Sequence, residues 1–198
     1  MKNYNSRFID VIMALKVAKD YHQTLGRIQL QKYIYLSDTI SIVWDVLAPK
    51  EGHETYKHGP FDEAINNAVD ILSFRGVVDV KSINIEENKV DALYELNQIG
   101  LKLFEEMTSE ANFKNKIDLY HHIGDNVNRI GWKKLINLVY KEPTYVQSRA
   151  EGYGYKFNYM SLFDNQTIRI LYQFEEMIPN GQKITRKNMV SLFFKLLS

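Results

Sequence analysis

The chain has 198 residues, of which 45% are hydrophobic and 25% are charged, and its formal net charge is +1. Such a composition is ordinary for a folded protein and excludes disorder of the whole chain. There is no cysteine, which excludes disulfides and thiolate zinc sites and fits a reducing compartment. No apolar run approaches the roughly 18 residues of a membrane span, and the N-terminus lacks a leader pattern. We therefore expect a cytoplasmic protein with no membrane contact.

The charge is unevenly distributed along the chain. Residues 1–35 carry a net charge of +4, whereas residues 36–75 and 76–112 carry −4 and −5. The last two stretches, 113–161 and 162–198, are basic again at +4 and +2. Contacts with a polyanion are therefore expected from the ends of the chain and not from its acidic middle.

Three helices are predicted in the first 75 residues. Apolar residues recur at helical spacing over Arg7–Tyr21, with Ser6 as the N-cap, and over Ile28–Leu47. The third helix is predicted to begin at Pro60, because proline suits the first helical position. It should end before Gly76, which we expect in a left-handed conformation.

A β-hairpin follows, with predicted strands at Val77–Ile85 and Val90–Leu96. The alternation of apolar residues slips between Val80 and Ile83, which predicts either a β-bulge or an early end of the strand. Asn97 is the predicted cap of a fourth helix. Three helices and a hairpin in this order indicate a winged helix, in a fold that is mainly α with a small β-hairpin (α+β).

We assign residues 1–110 to the winged-helix domain and residues 111–198 to a C-terminal helical extension packed on it. The extension is predicted to begin with a helix at Asn112–Arg129, which Gly124 breaks or ends, and a second helix at Trp132–Tyr140. An irregular or strand-like stretch is predicted at Tyr145–Tyr159. Two further helices are predicted at Thr167–Ile178 and Arg186–Leu197, on either side of a turn at residues 179–181.

The third helix carries the wrong charge for a DNA groove. Residues 60–75 hold three acidic side chains against one arginine. A DNA-reading winged helix normally inserts this helix into the major groove, where basic side chains meet phosphates. We therefore expect this helix to bind a protein partner, through Asn66, Asn67 and Asp70.

A second candidate partner surface is an aromatic segment near the C-terminal end. Tyr153, Tyr155 and Tyr159 alternate with glycine and other residues. Aromatic side chains beside positive charge can stack on nucleic-acid bases, but alternating aromatics are also ordinary in a half-buried strand. We favour a structural role or a protein-binding surface.

Two small basic groups are the candidates for contact with nucleic acid. One contains Arg129, Lys133 and Lys134, and the other contains Arg186 and Lys187. The plain interpretation is a solvated helix face, and the functional one is contact with nucleic acid or an acidic partner.

No residue pattern indicates catalysis. Five histidines are scattered along the chain, and none has the spacing of a zinc protease. The sequence has neither a phosphate-binding glycine loop nor a nucleophile elbow. We therefore predict a protein that is not an enzyme and that uses neither a metal nor a cofactor.

Several motifs go beyond a generic winged helix. Leu30–Leu36 reads LQKYIYL, Tyr56–Phe61 reads YKHGPF, and Tyr94–Gly100 reads YELNQIG. A further stretch, LINLVYKEPTY, lies within Trp132–Tyr145. Together these motifs resemble a group of small prokaryotic winged-helix proteins, with Asn here in place of the Thr usual in the third motif. The resemblance covers about residues 25–145.

The group includes Panacea-type antitoxins and adaptors, YwgA-like proteins, and the middle components of ABC-type three-component antiphage systems such as Lamassu. We favour the middle components, because that role needs protein-binding surfaces and no active site. The resemblance then implies an accessory subunit that bridges an SMC/Rad50-like ATPase and an effector, and any contact with nucleic acid would be indirect or within a complex. The alternatives are a DNA-binding winged-helix regulator and a Panacea-type antitoxin or proteolytic adaptor.

Overall fold

The computed structural model describes residues 5–49, 52–87, 89–178 and 184–197. The fold is mainly α-helical with a small antiparallel sheet, as predicted. Its helices and strands are α1 (Ser6–Asp20), β1 (Leu25–Gly26), α2 (Arg27–Ile40), α3 (Glu63–Phe74), β2 (Val78–Glu86), β3 (Lys89–Leu96), α4 (Gln98–Thr108), α5 (Lys114–Ile130), α6 (Trp132–Lys141), α7 (Pro143–Ala150), α8 (Gln166–Glu176) and α9 (Arg186–Leu197).

The chain forms two compact units, each made of two segments. Unit 1 comprises Met1–Ile34 and Asp62–Gly124, and unit 2 comprises Tyr35–Phe61 and Asp125–Ser198. The sequence instead led us to predict two consecutive domains, with a boundary at residue 110. The chain passes from one unit to the other three times: within α2, between Phe61 and Asp62, and within α5.

Unit 1 has the winged-helix arrangement. Helices α1 and α3 pack together, and α1 also packs on α4 and β3. The sheet order is β1-β3-β2, and all pairs are antiparallel. The register shifts between Val80 and Ser82, which confirms the predicted bulge. Asn97 caps α4, accepting hydrogen bonds from two backbone N–H groups, and Gly76 has a φ of 69°, as predicted.

Two helix starts in unit 1 differ from those predicted. Helix α1 is capped by Asn5 and not by Ser6, because the Asn5 side chain accepts a backbone N–H two residues further on at 3.0 Å. Helix α3 is capped by Asp62, whose carboxylate accepts the N–H of Ala64 at 2.8 Å. Pro60 therefore precedes the helix and does not open it.

Helix α5 continues through Gly124, so the predicted break there is wrong. A Cβ atom at this position would lie 2.3 Å from Cγ1 of Val17 on α1. The glycine therefore permits a close approach within unit 1 and does not interrupt the helix.

Helix α2 is shorter than predicted. It ends at Ile40, a 3₁₀ turn follows at Ser41–Trp44, and Asp45 adopts a left-handed conformation with φ of 54°. That conformation ends the helix, because a residue with positive φ cannot continue a right-handed helix.

Unit 2 is built around the last four helices. Successive helices pack in pairs, and α9 also packs on α6. The prediction of an irregular or strand-like stretch at Tyr145–Tyr159 is wrong over its first part, where α7 runs to Ala150. The bounds of α9 agree with the prediction, and the predicted turn at residues 179–181 lies outside the described residues. Over the described part of the chain, no helix combines the length and apolar character that crossing a bilayer requires.

Candidate protein-binding surface

The β2–β3 hairpin carries a continuous apolar face. Directly opposite residues share a face, and the register pairs Ile83 with Ala92 and Ile85 with Val90. The bulge inserts one extra residue into β2, so Val80 lies on this same face although its spacing from Ile83 is odd. The bulge therefore keeps the apolar residues of both strands together.

This apolar face is buried at the base of the hairpin and exposed toward its tip. Tyr94 and Leu96 lie in the core of unit 1, whereas Ile83, Ile85 and Val90 are 62%, 71% and 68% exposed. Contiguous exposed apolar side chains of this kind mark interaction surfaces.

Helix α3 is also apolar on its exposed side. Its buried stripe includes Ile65 and Leu72, and the side chains of Ile71 and Phe74 point the other way. Phe74 is 88% exposed. An aromatic ring this exposed has most of its apolar area available to a partner.

Arg27 joins the exposed side of α3 to the apolar face of the hairpin. Its Nε donates to the Tyr94 hydroxyl at 3.1 Å, and its guanidinium pairs with Asp70 of α3. The hydrogen bond to Tyr94 and the charge of Asp70 raise the pKa of Arg27, and its burial only partly opposes them. Tyr94 is the buried base of the apolar face of the hairpin, so Arg27 connects α3 to the base of that face.

We call the combined region the α3–wing surface. It consists of Asn67, Asp70, Ile71 and Phe74 of α3 and Val80, Ile83, Ile85 and Val90 of the hairpin. From Glu63 to Glu95 the sequence holds seven acidic and three basic side chains. The surface is thus largely apolar and lies in an acidic stretch of the sequence.

The interior of unit 1 contains a paired cluster of charges. Arg7 donates to Asp10 at 2.9 Å and to Asp62 at 2.7 Å, Lys116 pairs with Asp10 at 2.5 Å, and the Tyr120 hydroxyl donates to Asp10 at 3.0 Å. Burial raises the pKa of Asp10, but the charges of Lys116 and Arg7 outweigh burial and hold that pKa below its ordinary value. The cluster is balanced, which indicates a structural role.

Gln31 of the LQK motif positions the start of α3. Its amide donates to the Asp62 carbonyl at 2.8 Å and accepts the Asp62 N–H at 2.9 Å. The next residue, Lys32, is buried, and burial lowers its pKa to about 8. Both motif residues are therefore buried and do not lie on the surface.

The interior of unit 2 contains a buried carboxylate with neutral partners. Glu142 accepts hydrogen bonds from the backbone N–H groups of Thr144 (3.1 Å) and Tyr145 (2.7 Å) and from the hydroxyls of Tyr35 and Thr167. Burial and the Glu142 carboxylate raise the pKa of Tyr35 well above its ordinary value. Two motif residues, Tyr35 and Glu142, thus meet in the core.

The predicted partner-binding residues of α3 lie at the surface. Asn67 and Asp70 are exposed, and Asn66 is half-buried with its side chain accepting from Gln31 at 3.2 Å. Asn66 has a structural contact with Gln31 and Asp70 has one with Arg27, but Asp70 and Asn67 are exposed and a partner can reach them.

The three tyrosines of the aromatic segment are divided between surface and core. Tyr153 is 78% exposed and Tyr155 is partly exposed, but Tyr159 is only 2% exposed. The Tyr159 hydroxyl lies 2.9 Å from Nδ1 of the buried His53. Tyr159 is part of the interior of unit 2, which corrects its assignment to a partner-binding surface.

The basic residues proposed for nucleic-acid contact are exposed, and two of them already have partners. Lys133 and Lys134 lie on α6, and Lys187 lies on α9. Arg129 donates to Asn126, and Arg186 pairs with Asp45. The two groups belong to unit 2. Among the residues described here, no group of three or more side chains is arranged to hold a metal ion.

Several residues of the α3–wing surface were not predicted as site residues. Phe74 lies about 200° around the helix from Leu72, so helical geometry alone could have placed it outside the buried stripe. The exposure of Ile83 and Ile85 could not be predicted in this way, because alternating branched residues equally fit a covered strand.

Comparison with known proteins does not assign the chain to a family. No protein-family model matches it, and no similar curated protein was found.

Proposed function

We propose that the chain is a non-catalytic protein-binding subunit that holds a larger partner through the α3–wing surface. The supporting observation is the exposed apolar side chains of α3 and the hairpin within an acidic region. Winged helices that read DNA place this helix against phosphates, which an acidic surface repels. An apolar and acidic surface suits a polypeptide partner better.

The motif resemblance suggests the biological setting. We propose an accessory, bridging subunit of a bacterial antiphage complex that contacts an SMC/Rad50-like ATPase and an effector. Such a subunit needs a second surface, and the exposed Tyr153 and Tyr155 of unit 2 are the candidates. A Panacea-type antitoxin or adaptor would use the same α3–wing surface, and a toxic neighbouring gene would indicate that role.

The experiment is affinity capture of the products of the flanking genes by the tagged full chain. A double variant, Asp70→Lys with Phe74→Ser, should reduce capture about tenfold or more, because central aromatic residues often dominate interfaces. Met177→Ser is the matched control, since Met177 in unit 2 is similarly exposed at 79%. The proposal fails if no flanking product is captured or if the double variant captures as well as the unmodified chain.

DNA binding is the second candidate function, favoured by the exposed lysines on α6. Binding of duplex DNA measured over a salt series should then weaken steeply with salt, and Lys133→Gln with Lys134→Gln should reduce the slope. Lys102→Gln in unit 1 is the control, because Lys102 is also exposed on a helix. Binding that neither salt nor the α6 variants change would eliminate this candidate.

A further inference from the structure

Strand β2 has an open edge. In the sheet order β1-β3-β2 it is paired on one side by β3, and within the described residues no other strand pairs with its second side. About half of the backbone N–H and C=O groups of an edge strand point away from its neighbour and can pair with another strand. Its nine residues, Val78–Glu86, give room for such pairing.

The two faces beside this edge differ in chemistry. Ile83 and Ile85 point to the apolar face. The opposite face carries Ser82, Asn84 and Glu86 of β2, and on β3 it carries Asp91 and the partly exposed Leu93. A strand added at this edge would therefore meet apolar side chains on one face and acidic or polar ones on the other.

We propose that the open edge of β2 accepts an extended segment of a partner protein in which apolar and basic side chains alternate. The inference deepens the proposed function and rests on it, because it specifies how the α3–wing surface holds its partner. About five extended residues would pair with the regular part of the strand, from Ser82 to Glu86, which lies beyond the bulge. Backbone hydrogen bonds supply affinity in this mode, and the alternating side chains supply specificity.

Charge argues against a second copy of this chain as the occupant. Strand β2 carries two acidic side chains, Asp79 and Glu86, against one basic side chain, Lys81. Two β2 strands pairing edge to edge would therefore bring together strands of the same net negative charge, and like charges across strands are destabilising. A basic segment replaces this repulsion with attraction. The occupant is therefore a different, basic and apolar polypeptide.

The test measures binding of short synthetic peptides to the full chain by fluorescence anisotropy. The probes are a seven-residue peptide of alternating lysine and valine, the same peptide with glutamate for lysine, and the lysine–valine peptide with every amide N-methylated. We expect the first to bind about tenfold or more tightly than either of the others. N-methylation keeps the charge but removes the backbone donors, so equal binding of the methylated peptide would overturn the inference, as would equal binding of the glutamate peptide or no binding of any.

Variants locate the contact. Ile83→Lys combined with Ile85→Lys should weaken lysine–valine peptide binding about tenfold. Ile28→Lys should not, although Ile28 is 57% exposed in the same unit. Amide hydrogen exchange should slow in β2 when the peptide binds, and protection confined to other elements would contradict the inference. Self-association that the Ile83 and Ile85 substitutions abolish would assign the edge to a second copy and overturn it.

The two proposals can fail separately. One result would support the protein-binding function and reject the added strand: the Asp70 and Phe74 variant no longer captures the flanking-gene products, whereas the Ile83 and Ile85 variant still does. If both sets of substitutions leave capture unchanged, the α3–wing surface is not the binding surface.

Discussion

The two units hold buried carboxylates in different ways. In unit 1, Asp10 is surrounded by the positive charges of Arg7 and Lys116. In unit 2, Glu142 is held by two backbone N–H groups and two hydroxyls, all of them neutral. A buried carboxylate can thus be stabilised either by cations or by neutral hydrogen-bond donors, but the two arrangements lose different amounts of stability when one partner is removed.

This difference predicts which substitutions destabilise each unit most. Removing a cation from a buried pair leaves an uncompensated charge, whereas changing a carboxylate that is held by dipoles leaves unsatisfied hydrogen-bonding groups. The first loss is the larger. Unit 1 should therefore be more sensitive than unit 2 to single changes of this kind.

Arg7→Met should give the largest effect. It removes the partner of Asp62 and one of the two cations beside Asp10, and we expect a loss of about 3–5 kcal/mol in the free energy of unfolding, measured by urea denaturation. Lys16→Met is the control, because the Lys16–Asp20 pair lies nearer the surface and should contribute about 0–1 kcal/mol. Similar losses in the two variants would show that the buried cluster is not stabilising.

Glu142→Gln should give the next largest loss of stability. The amide places a donor group where the carboxylate had an acceptor. The hydroxyl at that position can turn and accept, but the backbone N–H cannot, so at least one of the four hydrogen bonds should be lost, at about 1–3 kcal/mol of unfolding free energy. Glu151→Gln, at an exposed position just after α7, should change the stability little. A loss larger than that of Arg7→Met would reverse the contrast between the two units.

Gly124→Ala tests packing within unit 1. Alanine favours a helix over glycine by up to about 1 kcal/mol, but the added methyl would meet Val17, so we expect a net destabilisation of about 1–3 kcal/mol. Val17→Ala in the Gly124→Ala background should restore part of the loss, and a double-mutant cycle measures the coupling. A stabilising Gly124→Ala would mean that α1 and α5 are not in close contact here.

Features that depend on neighbouring residues were predictable from the sequence. The bulge after Val80, the cap at Asn97, the left-handed Gly76 and the bounds of α9 each follow from local chemistry. Helix α7 was missed, because Tyr153 and its aromatic neighbours suggested a strand. Its cap, Glu142, is identifiable only when the core that surrounds it is known.

The candidate site was less predictable than the fold, for a physical reason. The motif residues that carry the family resemblance, such as Gln31, Tyr35 and Glu142, have their side chains inside the protein. They specify how the elements pack. The exposed residues that we propose for binding lie outside these motifs, and their grouping depends on the hairpin register and on Arg27. Motifs of this kind therefore indicate a fold more directly than a partner.

The protonation of Lys32 should have the smallest effect on the free energy of unfolding, and this effect should depend most clearly on pH. Its pKa is about 8 in the folded protein, against about 10.4 for an unperturbed lysine. Between these values the unfolded chain binds more protons at this site, so the free energy of unfolding should rise with pH, by about 1–2 kcal/mol from pH 8 to 9.5. Measurements should stay below pH 10, because the raised pKa of Tyr35 makes stability fall once tyrosines ionise in the unfolded chain. Lys32→Met should flatten the rise and Lys102→Met should preserve it, whereas an unchanged slope in Lys32→Met would show that burial of Lys32 is not its cause.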